Sequence, residues 1–278
     1  MNGFLVIYLT LLYLIPGPPI PDMIALIDET HPYFATVLID PGHGSMYNGR
    51  GVEDENNLAV GTALAKYLRS KGVRVLLTRN RSSHQEDIIN IEYARRKLKN
   101  RWDNNSLDNL TRTLKANDYG CQAIIRLHTD SHKFRRLDAY YPDKAGSFNG
   151  YTGPSPFVSM YSYHLAKSIT RFANRYLLSH GHKPGYINRE SNLKRKKEII
   201  ATNGCFKCNL IAKSPVVWIE MTGHGDPKNS EFLRKNRKLY AKAIGDGIIN
   251  FLQLYGNNLS EQKAEKSPGM DSFLQPWN

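Results

Sequence analysis

The sequence predicts an α/β protein, a three-layer α/β/α domain built around a central and mostly parallel sheet. Two observations support this fold class. Apolar, β-branched strands alternate with segments of helical periodicity along the chain. Signals for β-hairpins are few, and no Pro/Gly/Ser-rich linker divides the middle of the 278 residues. We therefore expect a single domain.

The first elements form a βαβ unit. A strand at 36–40, Thr-Val-Leu-Ile-Asp, leads into a Pro-Gly-His-Gly loop. Apolar residues then recur at helical spacing over 58–68, and Lys71-Gly72 ends this helix. The next strand lies at 73–78. A strand, a helix and a strand at this spacing predict that the sheet begins parallel.

The rest of the chain continues the alternation. Two shorter helical segments precede a second apolar strand, and a long amphipathic helix precedes a third. The predicted bounds are about 91–98 and 110–117 for the short helices, 122–127 for the strand, 159–178 for the long helix, 215–219 for the third strand and 230–254 for a final helix.

The two ends of the chain differ from its middle. Residues 4–15 form an apolar stretch that is too short for a membrane span but suits a signal-peptide core, and a Pro-rich break follows at 16–21. The first three residues carry no Lys or Arg, and no A-x-A-like cleavage site follows. We predict a signal peptide or N-terminal anchor at 1–21, a folded domain at 34–256, and a flexible polar tail at 257–278.

The chain is basic, with a formal net charge of +13 and an isoelectric point near 9.6. A balance of this size favours an anionic partner, such as anionic lipid or an acidic cell-wall polymer. The basic runs are not interleaved with aromatic residues as in nucleic-acid modules, so we do not expect a nucleic-acid partner.

Cysteine is sparse. Cys205 and Cys208 form a lone C-x-x-C pair, which excludes a closed four-cysteine zinc site. The pair is either a disulfide or two separate thiols. Cys121 comes just before a strand and is expected in the core.

Three predicted strands end in residues that suit metal chemistry. His43 and His128 each follow an apolar strand, and Glu220 ends a third. Parallel strands of one sheet bring their carboxyl ends to the same edge, where α/β proteins bind ligands. Two imidazoles and a carboxylate there indicate a zinc site with a catalytic base nearby.

These strand ends belong to a series of motifs. They are Leu-Ile-Asp-Pro-Gly-His-Gly at 38–44, Leu-Thr-Arg at 77–79, Arg-x-x-x-Ala-Asn at 112–117, Ile-Arg-Leu-His-Thr-Asp at 125–130, Pro-Val-Val-Trp-Ile-Glu at 215–220 and Asp-Pro at 226–227. In content and order, they resemble the zinc-dependent N-acetylmuramoyl-L-alanine amidases, which cleave bacterial peptidoglycan. The resemblance extends over about 36–255.

The resemblance implies a set of zinc ligands, two histidines and a glutamate. His43 and His128 correspond directly. The glutamate lies between the first strand and the first helix, ahead of a short apolar run; Glu55 fits that position best, and Glu53, two residues earlier, competes with it.

The resemblance also implies the reaction. The family hydrolyses the amide between the lactyl group of N-acetylmuramic acid and L-alanine, and Glu220 corresponds to its catalytic glutamate. Such a residue accepts a proton from water and passes it to the leaving amine. Asp40 is a candidate to orient the His43 ring or is a plain turn residue, and Asp130 is a candidate to contact substrate or orient a ligand. Arg189 either binds a substrate carboxylate or is a surface arginine.

Two alternatives compete with this function. One is a catalytically silent wall-binding or regulatory module on the same fold, and the other is a zinc carboxypeptidase acting on cell-wall peptides. For the amidase we expect peptidoglycan as the partner and an extracytoplasmic location, which is periplasmic, cell-wall-bound or secreted. Membrane contact is expected only through an N-terminal anchor.

Overall fold

A mixed six-stranded sheet forms the centre of the fold in the computed structural model. The structure describes residues 35–44, 51–79, 92–98, 104–144, 146–148, 151–190, 200–201 and 205–264. The predicted signal peptide or anchor at 1–21 lies outside these ranges. Within them, no helix combines the length and the apolar character needed to cross a bilayer.

Most strands are short, and the two longest of the helices given below have 22 and 28 residues. The strands are β1 (Ala35–Pro41), β2 (Val73–Leu77), β3 (Ala123–Asp130), β4 (Asp138–Tyr141), β5 (Gly146–Phe148), β6 (Tyr151–Gly153), β7 (Ile187–Arg189), β8 (Ile200–Ala201), β9 (Cys205–Phe206) and β10 (Val216–Gly223). The helices are α1 (Val52–Arg69), α2 (Asn104–Asp118), α3 (Pro156–Leu177), α4 (Pro227–Lys235) and α5 (Arg237–Ala264). Residues 92–97 are also helical.

The sheet order is β2-β1-β3-β10-β4-β7. The first four of these strands are mutually parallel, β4 is antiparallel to β10, and β7 is parallel to β4. The predicted mostly parallel α/β/α architecture is therefore confirmed. Because β1, β3 and β10 are neighbours and parallel, their carboxyl ends meet at one edge, as the site prediction required.

Helices cover both faces of the sheet. On one face, α1, α3 and α5 pack over alternate strand residues such as Ile39, Leu127 and Ile219 in the main core. On the other face, a smaller cluster joins Leu38 and Ile124 to α2 and its neighbours. The predicted burial of Cys121 is confirmed, because this residue belongs to the second cluster.

The C-terminal prediction needs correction. Two helices replace the single helix expected at 230–254: Asp226 caps α4, which ends at Lys235, and α5 continues to Ala264. Residues 257–264, which the sequence assigned to a flexible tail, are therefore helical. Leu259 explains the extension, because it is only 2% exposed and belongs to the main core.

The second sheet face is polar near the carboxyl ends of the central strands. Asp40 pairs with Arg126 across β1 and β3, and Glu220 pairs with His128 across β3 and β10. Side chains alternate between faces along a strand, so these even-numbered residues share one face. The candidate site is built on this face.

Candidate active site and metal centre

The loop after β1 holds His43 in an unusual backbone conformation. His43 has φ of 62°, in the left-handed region that residues other than glycine seldom adopt. Arg79 fixes this loop by donating to the carbonyl oxygens of Pro41 and Gly42, both at 2.9 Å. Arg112 donates to the carbonyl oxygen of His43 at 3.4 Å. A strained residue persists where its surroundings hold it in this way.

Gly42 allows the second histidine to approach the loop. A Cβ atom at this position would lie 2.1 Å from Cε1 of His128, which is closer than any real contact. The backbone N–H of Gly42 donates to the Leu127 carbonyl at 2.8 Å, and Asn57 donates to the Gly42 carbonyl at 3.1 Å. Only glycine therefore fits between the two histidines.

His43, Glu53 and His128 converge at the carboxyl edge of the sheet. Glu53 Oε2 lies 3.2 Å from His43 Nε2, and Glu53 Oε1 lies 3.0 Å from His128 Nδ1. The ligand atoms of the three residues all lie within 4.8 Å of one another. The Thr129 backbone N–H donates to Glu53 Oε1 at 3.2 Å, which fixes the carboxylate.

The charge states of the cluster suit a divalent cation. Burial lowers the pKa of His128 to about 4 despite the adjacent Glu53, so its imidazole is neutral near pH 7. Burial opposes ionisation of Glu53, but hydrogen bonds from His128 and His43 outweigh it and hold the Glu53 pKa below its ordinary range. A neutral imidazole and an ionised carboxylate are the ligand forms that zinc requires.

The structure brings Glu53, and not the favoured Glu55, to the histidines. The Glu55 side chain is 69% exposed and lies 3.8 Å from Arg234. Two residues along an α-helix are separated by about 200° around its axis, so the two glutamates point in different directions. The buried helix positions Val60, Leu64 and Leu68, continued backwards in steps of three or four, reach Glu53. That pattern was available in the sequence.

Glu220 lies beside the cluster on β10. It pairs with His128 across the strands and is 3% exposed. Trp218 donates from Nε1 to Glu220 Oε1 at 2.8 Å. The Trp218 ring also stacks on His128, with centroids 3.6 Å apart and planes 12° apart, and Phe206 stacks on Trp218 at 4.7 Å. One indole thus contacts both a candidate ligand and the candidate base.

Asp40 is a structural carboxylate rather than a neighbour of the His43 ring. It is buried and accepts hydrogen bonds from Thr78 at 2.8 Å, from Arg112 at 2.7 Å and from Arg126. Burial would raise the Asp40 pKa, but Arg112 and Arg126 outweigh burial and hold it well below its ordinary range. Its influence on His43 passes through Arg112, which it holds against the loop.

The other two sequence candidates are not brought to the cluster by the contacts described. The Asp130 carboxylate accepts from the Ser131 backbone N–H at 2.6 Å. Arg189 is exposed on β7 and pairs with Tyr141. Ile187, two residues earlier on the same face of β7, packs against the main core, so Arg189 belongs to the face opposite Glu220.

Three residues that support the site lie in the sequence motifs, but no role was predicted for them from the sequence. Arg79 and Arg112 hold the His43 loop, and Trp218 links His128 to Glu220. Trp218 precedes Glu220 by two residues, which places both on one face of a strand, so its proximity was readable from the sequence.

The structure also bears on whether Cys205 and Cys208 form a disulfide or are separate thiols. Cys208 is a free, buried thiol, and burial raises its pKa to about 11. It is therefore not half of a disulfide in this structure. The side chain of Cys205 lies outside the described residues.

A comparison with protein families identifies the family to which the chain belongs. The family model described as N-acetylmuramoyl-L-alanine amidase, Amidase_3, matches residues 37–250. The chain belongs to this amidase family. The chain is therefore a peptidoglycan amidase, and the matched range includes the candidate ligands and Glu220.

Solved structures of other amidases have the same fold. The chain is similar to N-acetylmuramoyl-L-alanine amidase AmiC2 of Nostoc punctiforme, with 21% identity, a TM-score of 0.52, and coverage of 79% of this chain and 98% of that one. It is similar to the CwlD amidase of Clostridioides difficile, solved with the GerS lipoprotein, with 17% identity, a TM-score of 0.55, and coverage of 79% and 99%. It is also similar to Ami1 of Mycobacterium smegmatis, with 17% identity, a TM-score of 0.53, and coverage of 81% of this chain and 100% of that one. A search among curated proteins finds no match.

Proposed function

We propose that this amidase uses zinc to hydrolyse the amide bond between N-acetylmuramic acid and L-alanine in peptidoglycan. The observation that supports the proposal most is the convergence of His43, Glu53 and His128 beside the buried Glu220. Membership of the amidase family points to the same substrate.

His43, Glu53 and His128 are the proposed ligands. Two imidazoles and one carboxylate form a donor set that catalytic zinc sites use, with a position left for water or substrate. Zinc in such a site supplies Lewis acidity, which polarises a carbonyl group and lowers the pKa of water to about 7. Thr129 and Arg79 support the ligands by fixing Glu53 and the loop of His43.

Glu220 is the proposed general base and acid. Its position opposite His128 suits a carboxylate that takes a proton from the attacking water and gives it to the departing amine nitrogen. Trp218 donates a hydrogen bond to one oxygen of the Glu220 carboxylate, which fixes the orientation of this carboxylate. A silent module would not need both this carboxylate and an intact ligand set.

Product analysis tests the proposed bond. Purified sacculi digested by the zinc-loaded enzyme should release stem peptides that begin with L-alanine and leave free lactyl carboxyl groups on the glycan. Release of D-alanine from intact stem peptides would identify a carboxypeptidase instead. Absence of any product from zinc-loaded enzyme, with sacculus binding retained, would favour the silent module.

We also propose that the enzyme acts outside the cytoplasm, where peptidoglycan lies. The apolar stretch at 4–15 with its Pro-rich break supports this location. Residues 1–30 fused to a reporter that is active only outside the cytoplasm should yield reporter activity. A silent reporter would contradict export through this segment.

A further inference from the structure

A cation–aromatic pair, Arg136 and Tyr186, is bound to Asp138, the first residue of the strand next to Glu220. β4 runs antiparallel to β10, and Asp138 pairs with Glu220. Arg136 donates from Nε and Nη2 to Asp138 Oδ2 at 2.8 and 2.7 Å. The Tyr186 backbone N–H donates to Asp138 Oδ1 at 3.0 Å. Asp138, one strand away from the proposed catalytic carboxylate, therefore fixes the Arg136 side chain and the Tyr186 backbone.

The pair is partly open to solvent although its anchor is buried. Asp138 is 1% exposed, whereas the Arg136 side chain is 26% and Tyr186 is 55% exposed. The guanidinium carbon of Arg136 lies 4.9 Å from the centroid of the Tyr186 ring. A guanidinium has five N–H donors, and the two atoms bonded to Asp138 do not use all of them.

The pair also lies on the side of the sheet that carries the proposed chemistry. Asp138 and Glu220 are paired residues and share a face, which Arg136 reaches through its bonds to Asp138. Neighbouring strands are about 4.8 Å apart, so Asp138, which binds Arg136, lies close to Glu220. Arg189, the arginine favoured by the sequence, belongs to the opposite face.

We propose that Arg136 and Tyr186 form a substrate subsite for a carboxylate of the stem peptide, one or two residues beyond the scissile amide. Arg136 binds the carboxylate through its remaining N–H donors, and Tyr186 packs against the adjoining apolar atoms. Arginine matches the geometry of a carboxylate better than lysine does. This inference rests on the proposed amidase function and extends it to the charge of the substrate.

Two soluble substrates test the subsite. They are N-acetylmuramoyl tripeptides that differ only in whether the side carboxyl group of the second residue is free or amidated. The wild-type enzyme should hydrolyse the free acid with a kcat/KM at least about tenfold higher, as expected for a charge-assisted hydrogen bond. Arg136→Gln should abolish this preference by raising KM for the acid, with kcat and the amidated substrate little changed.

Further variants separate recognition from folding. Arg136→Lys should retain part of the preference, because it keeps the charge. Tyr186→Ser leaves the Arg136–Asp138 pair in place and should raise KM several-fold for both substrates. Arg175→Gln is the matched control, because Arg175 forms a similar pair with Phe172 at 5.5 Å on α3. It should behave like wild type.

Three results would overturn the subsite. The wild-type enzyme could hydrolyse both substrates equally, folded and zinc-loaded Arg136→Gln could keep the preference, or Arg189→Gln could lose it instead. Failure of the wild-type enzyme to cleave the lactyl amide of either substrate is a different result. It would overturn the proposed function and, with it, the subsite.

Discussion

Each oxygen of the Glu53 carboxylate faces a different histidine ring. This arrangement makes Glu53 the residue on which the proposed metal site depends, because it neutralises charge and spaces the rings. Glu220 accepts a hydrogen bond from Trp218. We therefore propose separate roles for the two glutamates, Glu53 in holding the metal and Glu220 in moving a proton.

We expect Glu53→Gln to lose its zinc and Glu55→Gln to keep it. Loss of a group that only supports a ligand typically costs 10- to 100-fold in metal affinity, so loss of a ligand should cost at least about 100-fold. Atomic absorption on the purified variants measures this directly. Zinc retained by Glu53→Gln and lost by Glu55→Gln would reinstate the ligand that the sequence favoured.

We expect Glu220→Gln to keep zinc and sacculus binding but to lose turnover. The amide preserves shape and removes the titrating group, and loss of general acid–base catalysis costs roughly 10²- to 10⁴-fold in rate. Turnover and zinc content should be measured on the same preparation. A near-normal rate would remove Glu220 from the mechanism, whereas loss of zinc would make it a ligand.

The sequence indicated His43, His128 and Glu220 because each follows a strongly apolar strand. It favoured Glu55 over Glu53 because of the short apolar run that follows Glu55, whereas the buried positions of α1, continued backwards, reach Glu53. It could not place Arg136 and Tyr186 together, because their contact depends on β4 and β7, which are brief and lack an apolar pattern.

The loop at 41–44 is held by a network of buried ions that joins three elements. Asp40 on β1 binds Arg112 on α2 and Arg126 on β3, and Arg112 also binds Asp108 at 3.0 Å. Removing one partner of such a network leaves the other charges buried without compensation, which is strongly destabilising. The geometry of His43 therefore depends on residues outside the cluster of proposed ligands.

We expect Asp40→Asn to lower the free energy of unfolding at pH 7 by about 3–5 kcal/mol. The Asp40 pKa is lowered in the folded state, so its contribution is present above the unfolded value of about 3.9 and is lost as the pH falls below it. Denaturant titrations at several pH values should show a flatter acid dependence for Asp40→Asn than for wild type.

Glu231→Gln is the control for this comparison. It removes only an exposed ion pair with Lys235 and should leave the free energy of unfolding nearly unchanged. If Asp40→Asn unfolds at the same denaturant concentration as the control, the ion network does not stabilise the loop.

The central strands could be predicted from the sequence for a physical reason. The strands β1, β3 and β10 are buried on both faces and so appear as apolar runs. The strands β4 and β7 lie beyond β10 and are too short to show a period. The sequence predicted too early an end for the last helix because its later residues are mostly polar, whereas Leu259 is buried in the main core.

The whole chain carries a formal net charge of +13. We expect this charge to help the enzyme bind anionic wall polymers, so binding to sacculi should weaken as salt rises, because exposed charges are screened beyond about 8 Å at physiological ionic strength. Hydrolysis of a neutral soluble muramoyl peptide is the control and should change little. Sacculus binding that stays constant from low to high salt would make the charge incidental.

Hydrolysis in water enriched in ¹⁸O tests the central claim most directly. If water attacks the muramoyl carbonyl, mass analysis of digested sacculi should find one ¹⁸O in the lactyl carboxyl group of the glycan and none in the released stem peptide. Glu220→Gln should form the same labelled product more slowly. Label in a peptide carboxyl group, with the lactyl amide intact, would contradict the assignment of this enzyme as a muramoyl-L-alanine amidase.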